Sequence, residues 1–154
     1  MKTIRKANKS DISWMVNLSY QKRLTYEKMQ PNFWKIAENS NEIQKKYFEE
    51  ELKNENVIAL IFEEEQGFII GKLITPPEVY DAGLTLMIDD FCVKSQDLWM
   101  TIGKDLLSEC QRKSKIIGAK QILVVCGDSD TQKLLLLEAM NMKIASRWYT
   151  SPYI

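Results

Sequence analysis

The chemically most suggestive stretch of the chain is Ile88-Asp89-Asp90-Phe91-Cys92-Val93, where two adjacent carboxylates interrupt an apolar run. Side chains alternate along a strand, so Asp89, Phe91 and Val93 are expected on one face and Asp90 and Cys92 on the other. That spacing predicts one carboxylate on each side of a sheet. Burial disfavours the charged form of a carboxyl and raises its pKa toward a range useful for acid–base work. The chain of 154 residues contains no histidine, which narrows the chemistry at once. Neither a Ser-His-Asp nor a Cys-His nucleophile system can be built, and a zinc centre with histidine ligands is excluded. Proton transfer falls to carboxylates, tyrosine, lysine, cysteine, backbone or water.

Other motifs are incomplete. No G-x-G-x-x-G spacing for a dinucleotide occurs. Gly103–Lys104 resembles the end of a phosphate-binding loop, but Asp105 follows where Ser or Thr is needed, and Leu98 stands at the earlier glycine. Asp128-Ser129-Asp130 has no downstream calcium-ligand pattern, so it reads as a helix cap, and no metal is expected. Cys92, Cys110 and Cys126 are odd in number and lie in apolar segments, as reduced core thiols do. Lys plus Arg and Asp plus Glu balance at 21 each, leaving no global field to attract nucleic acid or anionic lipid. No apolar stretch approaches the roughly 20 residues that span a bilayer. No export signal is expected either, because Thr3–Ile4 is followed at once by Arg5, Lys6 and Lys9. These features predict a cytoplasmic protein without membrane or nucleic-acid partners.

The elements that would position Asp89 and Asp90 follow from periodicity. Ser10 is expected to cap a helix with Ile12, Met15, Val16 and Tyr20 on one face, running to about Lys28, before Pro31 breaks it. A second helix starts near Ser40 and presents Ile43, Tyr47, Phe48 and Leu52. Val57–Phe62 and Phe68–Ile74 read as a hairpin turning at Gln66–Gly67, and Thr75–Gly83 as a loop. Leu84–Val93 is the longest strand candidate. Trp99, Ile102, Leu106, Cys110 and Ile117 mark one face of a helix that stops at Gly118. Ile122–Cys126 is a short strand, Thr131–Met140 a helix closed by Asn141, and Lys143–Tyr149 a last strand. The order β-α-α-β-β-β-α-β-α-β implies a single α/β (α+β) domain with a mixed, mostly antiparallel central sheet flanked by helices.

That order, with Ile88–Val93 followed by Leu98-Trp99-Met100-Thr101-Ile102-Gly103-Lys104, resembles the GNAT superfamily of acetyl-CoA-dependent N-acyltransferases along essentially the whole chain. The resemblance implies that the fourth strand splays from the fifth and that the pantetheine arm of acetyl-CoA lies in the gap beside Phe91, Cys92 and Val93. The next turn would offer backbone N–H groups to the pyrophosphate at a helix N-terminus. The family's Q/R-x-x-G-x-G/A turn maps onto Leu98–Gly103, where only Gly103 agrees: Leu98 replaces the Arg or Gln, and Thr101 the first glycine. Trp99, Met100, Thr101, Ile102, Gly103 and Lys104 are the residues so implied, with Asp130 and Lys133 near pantetheine or phosphate.

The resemblance also implies the chemistry, transfer of an acetyl group to a primary amine of a small molecule or peptide by direct attack in a ternary complex. Asp89 matches the family's general base. The family's usual acid, a tyrosine in the helix after the fifth strand, is absent because Leu137 stands there. Tyr149 and Tyr26 are the alternatives, as is protonation by solvent. Tyr26, Phe33, Trp34, Asp90 and Arg147 are assigned to the acceptor side. No acyl-enzyme is expected, since Cys92 and Cys126 have no adjacent base. A non-catalytic acyl-CoA-binding or sensor module is the rival reading. An aromatic edge at Arg147–Tyr149 suggests pairing of two copies as a homodimer.

Overall fold

The apolar runs of the middle of the chain form the centre of a five-stranded sheet ordered β1-β2-β3-β4-β5. In the computed structural model, which describes residues 3–153, these are β1 (Ile4–Lys6), β2 (Val57–Phe62), β3 (Gly67–Ile74), β4 (Thr85–Val93) and β5 (Gln121–Val124). β1 to β4 pair antiparallel, and β5 joins β4 in parallel because the chain returns to it through a helix. The expected mixed sheet is therefore present. Four helices flank it: α1 (Ile12–Met29), α2 (Ser40–Glu51), α3 (Lys104–Ile116) and α4 (Thr131–Ala139). None of the helices described is long and apolar enough to cross a membrane.

Period-2 alternation divides the core between the two faces of the sheet. Phe68, Ile70 and Cys92 point to one side and pack with Met15 and Val16 of α1 and Phe48 of α2. Ile69, Leu86, Ile88, Phe91 and Val93 point to the other and pack with Leu106, Leu107 and Cys110 of α3 and Leu136 of α4. Phe48, Phe68 and Phe91 are fully buried, each contributing on the order of 1.5–3 kcal/mol by leaving water.

The ends of the elements follow local chemistry, with some changes from expectation. Asn8, not Ser10, caps the chain into α1, through a short 3-10 turn at Lys9–Asp11: Asn8 Oδ1 accepts from the Ser10 amide at 2.9 Å and the Asp11 carboxylate accepts from the Asn8 amide at 2.8 Å. The β2–β3 hairpin turns through Glu64 and Glu65, both at positive φ, rather than at Gln66–Gly67. Gly118 (φ 98) and Asn141 (φ 59) close α3 and α4 in the left-handed conformation, as read from the sequence. Lys143–Tyr149 forms no strand. Its aromatic content measures fit to a half-buried pleat, not an intrinsic backbone preference. Here Trp148 instead sets its ring edge-to-face against Phe33 at 6.1 Å, while Ile144 and Tyr149 are exposed.

Candidate functional site

One extra residue in β4 creates the site. β3 pairs Ile70 with Asp90 and Gly71 with Ile88, leaving Asp89 as a bulge. A bulge bends its strand and sharpens the local twist. On the other edge, pairing with β5 ends at Ile88 and Val124, with a last bond from Val125 N to Ile88 O at 2.9 Å. Past that point no ladder bond joins residues 89–93 to β5, and the strands part. Val125 and Cys126, expected in the strand, lie outside it for the same reason.

The bulge also overturns the expected opposition of the two carboxylates. Both face α1 and α2. Lys22 Nζ of α1 donates to Asp89 O at 3.3 Å and stands 3.7 Å from Asp90 Oδ1. Partial burial, then the Asp90 charge, raise the Asp89 carboxyl, although its side chain keeps access to solvent, and Lys22 opposes the rise. Tyr47 of α2 is pushed up to about 12 by burial and then by Asp89, Glu51 and Asp90. Lys22 would be lowered by burial alone, but Cys92, Asp90 and Asp89 together raise it. Sequence reading missed Lys22. Its spacing from Leu18 and Tyr26, one helical turn to either side, places the three on one face of α1 and was the available signal.

A cleft of about 190 Å³ opens where β4 leaves β5. Leu18, Lys22 and Tyr26 line it from α1, Phe91–Gln96 from β4 and the following turn, and Trp99 and Asp130 from beyond. A larger depression of about 430 Å³ lies by the far edge strand β1, where the Arg5 guanidinium and Asp11 carboxylate are already joined by two 2.8 Å hydrogen bonds. The chemistry gathers at the smaller one.

The turn after β4 is a 3-10 turn at Gln96–Leu98 running into a π-turn at Trp99–Gly103, before α3 begins. Trp99 is buried edge-to-face on Phe91 at 4.8 Å, and its Nε1 has no hydrogen-bond partner among the described residues. Gly103 is needed by this ring: a Cβ there would lie 2.8 Å from Trp99 Cε3 and 3.3 Å from Leu136 Cδ2. The glycine thus serves close packing of the turn. Thr101 Oγ1 bonds back to Leu98 O at 3.3 Å, Met100 and Lys104 are exposed, and Ile102 is half-buried. The buried stripe of α3 is Leu106, Leu107, Cys110 and Ser114, and Ile117, which caps the helix beyond its last turn, is left 50% exposed instead of joining it.

The β5 side of the gap is held by side chains. Tyr26 OH donates to Asp130 Oδ2 at 2.7 Å and accepts from Gly127 N at 3.1 Å. Asp130 occupies the N-cap position of α4 without capping it, because its carboxylate is taken by Tyr26. Burial, then Asp130, raise the Tyr26 phenol far above its ordinary value, so it remains protonated. Lys133 of α4 is 1% exposed, and its Nζ donates to Val125 O at 2.9 Å. Burial pushes the Cys126 thiol up to about 11 and also raises Cys92, so neither is a thiolate at neutral pH.

Of the acceptor-side residues, Trp34 packs on Tyr26 at 5.3 Å and Phe33 on Trp34 at 4.5 Å, forming an aromatic rim beside the cleft. Arg147 and Tyr149 do not line the cleft; both are exposed on the segment that fails to form a strand, Tyr149 by 87%. The structure therefore gathers Asp89, Asp90, Phe91–Val93, Tyr26, Trp99, Asp130 and Lys133, and leaves Arg147 and Tyr149 apart.

No family model matches the sequence, and no curated protein matches it. Solved structures do. A variant of the BH1408 protein from Bacillus halodurans superposes with a TM-score of 0.84 at 18% identity, over 98% of this chain and 99% of that one. A predicted acetyltransferase from Clostridium acetobutylicum, solved with acetyl-CoA, gives 0.73 at 18%, over 99% and 96%. The aminoglycoside N-acetyltransferase AAC(6')-Iy in complex with CoA gives 0.72 at 14%, over 99% and 95%. Parted strands at a bulged β4, a turn into α3, and this likeness across the whole sheet agree: the chain has the GNAT acyl-CoA N-acyltransferase fold.

Proposed function

We propose that the protein is an N-acyltransferase that moves an acetyl group from acetyl-CoA to a primary amine of a small molecule or peptide, by direct attack within a ternary complex. The observation that carries this reading is the open edge of β4 over residues 89–93, beside the orphaned Trp99 N–H. Unpaired backbone groups and a buried donor without an acceptor call for a ligand with amide and carbonyl groups, as pantetheine has. The turn through Trp99–Lys104, at the head of α3, suits a pyrophosphate through its backbone N–H groups and the helix dipole. Acetyl-CoA would supply the activated acyl group. AAC(6')-Iy, a structural neighbour, has also been solved with a bisubstrate analogue built from CoA and acetylneamine, which supports an amine as acceptor.

Within this reading, Asp89 is the general base. Its raised carboxyl is better matched to removing a proton from an amine than an ordinary aspartate, and its exposure gives the acceptor access. Phe33 and Trp34 form an apolar wall for the acceptor. Adding acetyl-CoA should raise the melting temperature by about 5–10 °C at a hundredfold excess over Kd. No shift at millimolar ligand would remove the proposal. A non-catalytic CoA-ester-binding module is the second reading. It is favoured by the way Lys133 and Tyr26 already engage Val125 O and Gly127 N across the gap. Thiol release that depends on an added amine separates the two.

A further inference from the structure

Three aromatic rings from outside the helices and strands stand together beside the cleft. Phe33 and Trp34 come from the connection between α1 and α2, and Trp148 comes from the segment after α4. Trp34 rests on Tyr26, with ring centroids 5.3 Å apart and planes at 63°. Phe33 rests on Trp34 at 4.5 Å and 76°, and Trp148 on Phe33 at 6.1 Å and 85°. Each contact is edge to face, so it uses the edge of one ring and leaves broad faces free. Phe33 remains 44% exposed and Trp148 77%. Singly exposed aromatics are ordinary, but contiguous ones at the mouth of a cleft mark a place where an apolar group docks.

This rim is built rather than loose. Trp34 N donates to Gln30 O at 2.9 Å, and Ile36 N donates to Glu27 Oε2 at 2.6 Å, which pins the connection to the end of α1. Tyr26, the ring beneath Trp34, is fixed by Asp130 and Gly127 N and lines the cleft. One turn earlier on α1, Lys22 Nζ lies 5.9 Å from the Tyr26 ring and bonds the carbonyl of Asp89. The rim thus adjoins the cleft on the α1 side of β4, where Asp89 also faces. Open ring faces attract an ammonium as well as another ring. Here the flanking charges decide between them: Lys35 follows Trp34 and Arg147 precedes Trp148, both exposed, and the Glu27 carboxylate is already taken by the Ile36 amide. A ligand with several ammonium groups is opposed at this rim, whereas an uncharged ring is not.

We infer that Phe33, Trp34 and Trp148 form the site for an aromatic group of the acceptor, a primary amine that carries an aryl ring on an alkyl arm. This rests on the acyltransferase reading above and narrows its acceptor. The ring seats on the open faces of Phe33 and Trp148, and the arm carries the amine past Tyr26 toward Asp89. There the amine nitrogen bonds to the thioester carbonyl carbon, and the C–S bond breaks with its electron pair going to sulfur. The nitrogen loses a proton to the Asp89 carboxylate, and the thiolate takes one from solvent. Trp148 makes the C-terminal segment part of the site, although its neighbours Arg147 and Tyr149 stand apart from the cleft.

The test offers the whole chain acetyl-CoA and a panel of amines and follows thiol release. Phenethylamine and its longer-armed homologue phenylbutylamine carry the ring, n-hexylamine is apolar without one, and neamine is a polycation. An aryl amine should exceed both others by about 10-fold or more in kcat/KM. Phe33→Leu and Trp148→Leu, which keep apolar bulk without the ring, should raise its KM about 10-fold with kcat little changed. Trp148→Phe should restore KM to within about threefold of the parent. Melting, alone and with acetyl-CoA, should match the parent in all three, since the rings are exposed. If acetyl-CoA stabilises the protein but aryl amines react no better than n-hexylamine or neamine, the aryl site is overturned and the acyltransferase reading stands. KM values unmoved in the leucine variants overturn it equally. If acetyl-CoA gives no stabilisation, that reading falls and this one with it.

Discussion

Asp89 and Asp90 on one side of β4, and Lys133 on the other, are a single strand apart, yet their surroundings differ in kind. On the α1/α2 side, charges meet counter-charges: Lys22 lies 3.7 Å from Asp90 and bonds the Asp89 carbonyl, with solvent at hand. On the α3/α4 side, Lys133 has one carbonyl and two aromatic rings. The first arrangement tolerates a change of protonation, because water and neighbours can adjust. The second penalises charge, and burial drives the Lys133 ammonium toward its neutral form.

Removing the dry side's ring is expected to have the largest effect. Phe91→Ala should cost about 3–5 kcal/mol in denaturant unfolding, since it empties the packing around Trp99 and Lys133. A cost below about 1 kcal/mol would mean that this side is not tightly packed. Asp89→Asn should lower turnover about 100-fold, equivalent to about 2.7 kcal/mol of barrier, without weakening CoA binding. The same variant should not lose stability at neutral pH. A carboxyl raised in the folded state binds its proton more tightly there than when unfolded, so its contribution is lost as pH rises through the folded pKa, and Asn escapes that loss. Melting curves of both proteins at neutral pH decide the point.

Gly103→Ala should cost roughly 1–3 kcal/mol, because its Cβ would press on the Trp99 ring, a fixed side chain with no free end to move. A neutral result would show that the ring has room. The smallest effect concerns the wet side. Lys22→Met removes the charge that holds Asp89 down, so the acid limb of the kcat/KM profile should move to higher pH, with stability changed by at most about 1 kcal/mol. An unmoved limb would detach Lys22 from the base.

The fold was legible because its signals are local and repeated. The runs at Val57–Phe62 and Phe68–Ile74 and the stops at Gly118 and Asn141 declare themselves within a few residues. The site was legible as a stretch but not as a geometry. Strict alternation put Asp89 and Asp90 on opposite faces, and one bulged residue reversed that for everything before it relative to everything after. Nothing in the letters announces a bulge, which depends on how β3 and β4 register against each other. Lys133 was readable as a cation near an anion site, but not as a buried one, because lysine is so seldom fully enclosed. The missing last strand failed for a related reason: Trp148 and Tyr149 suit a pleat, and only the tertiary structure tells whether one is available.

The π-turn at Trp99–Gly103 has a consequence for how this chain can vary in length. Such a turn amounts to one residue inserted into an α-helix and absorbed locally. Met100, exposed within it, is in effect the surplus residue. Deleting it would restore an ordinary helix and rotate everything upstream by about 100°, swinging the Trp99 ring out of its place over Gly103 and away from Lys133. Substitution at position 100 is therefore nearly free, whereas a change in the count of residues is not.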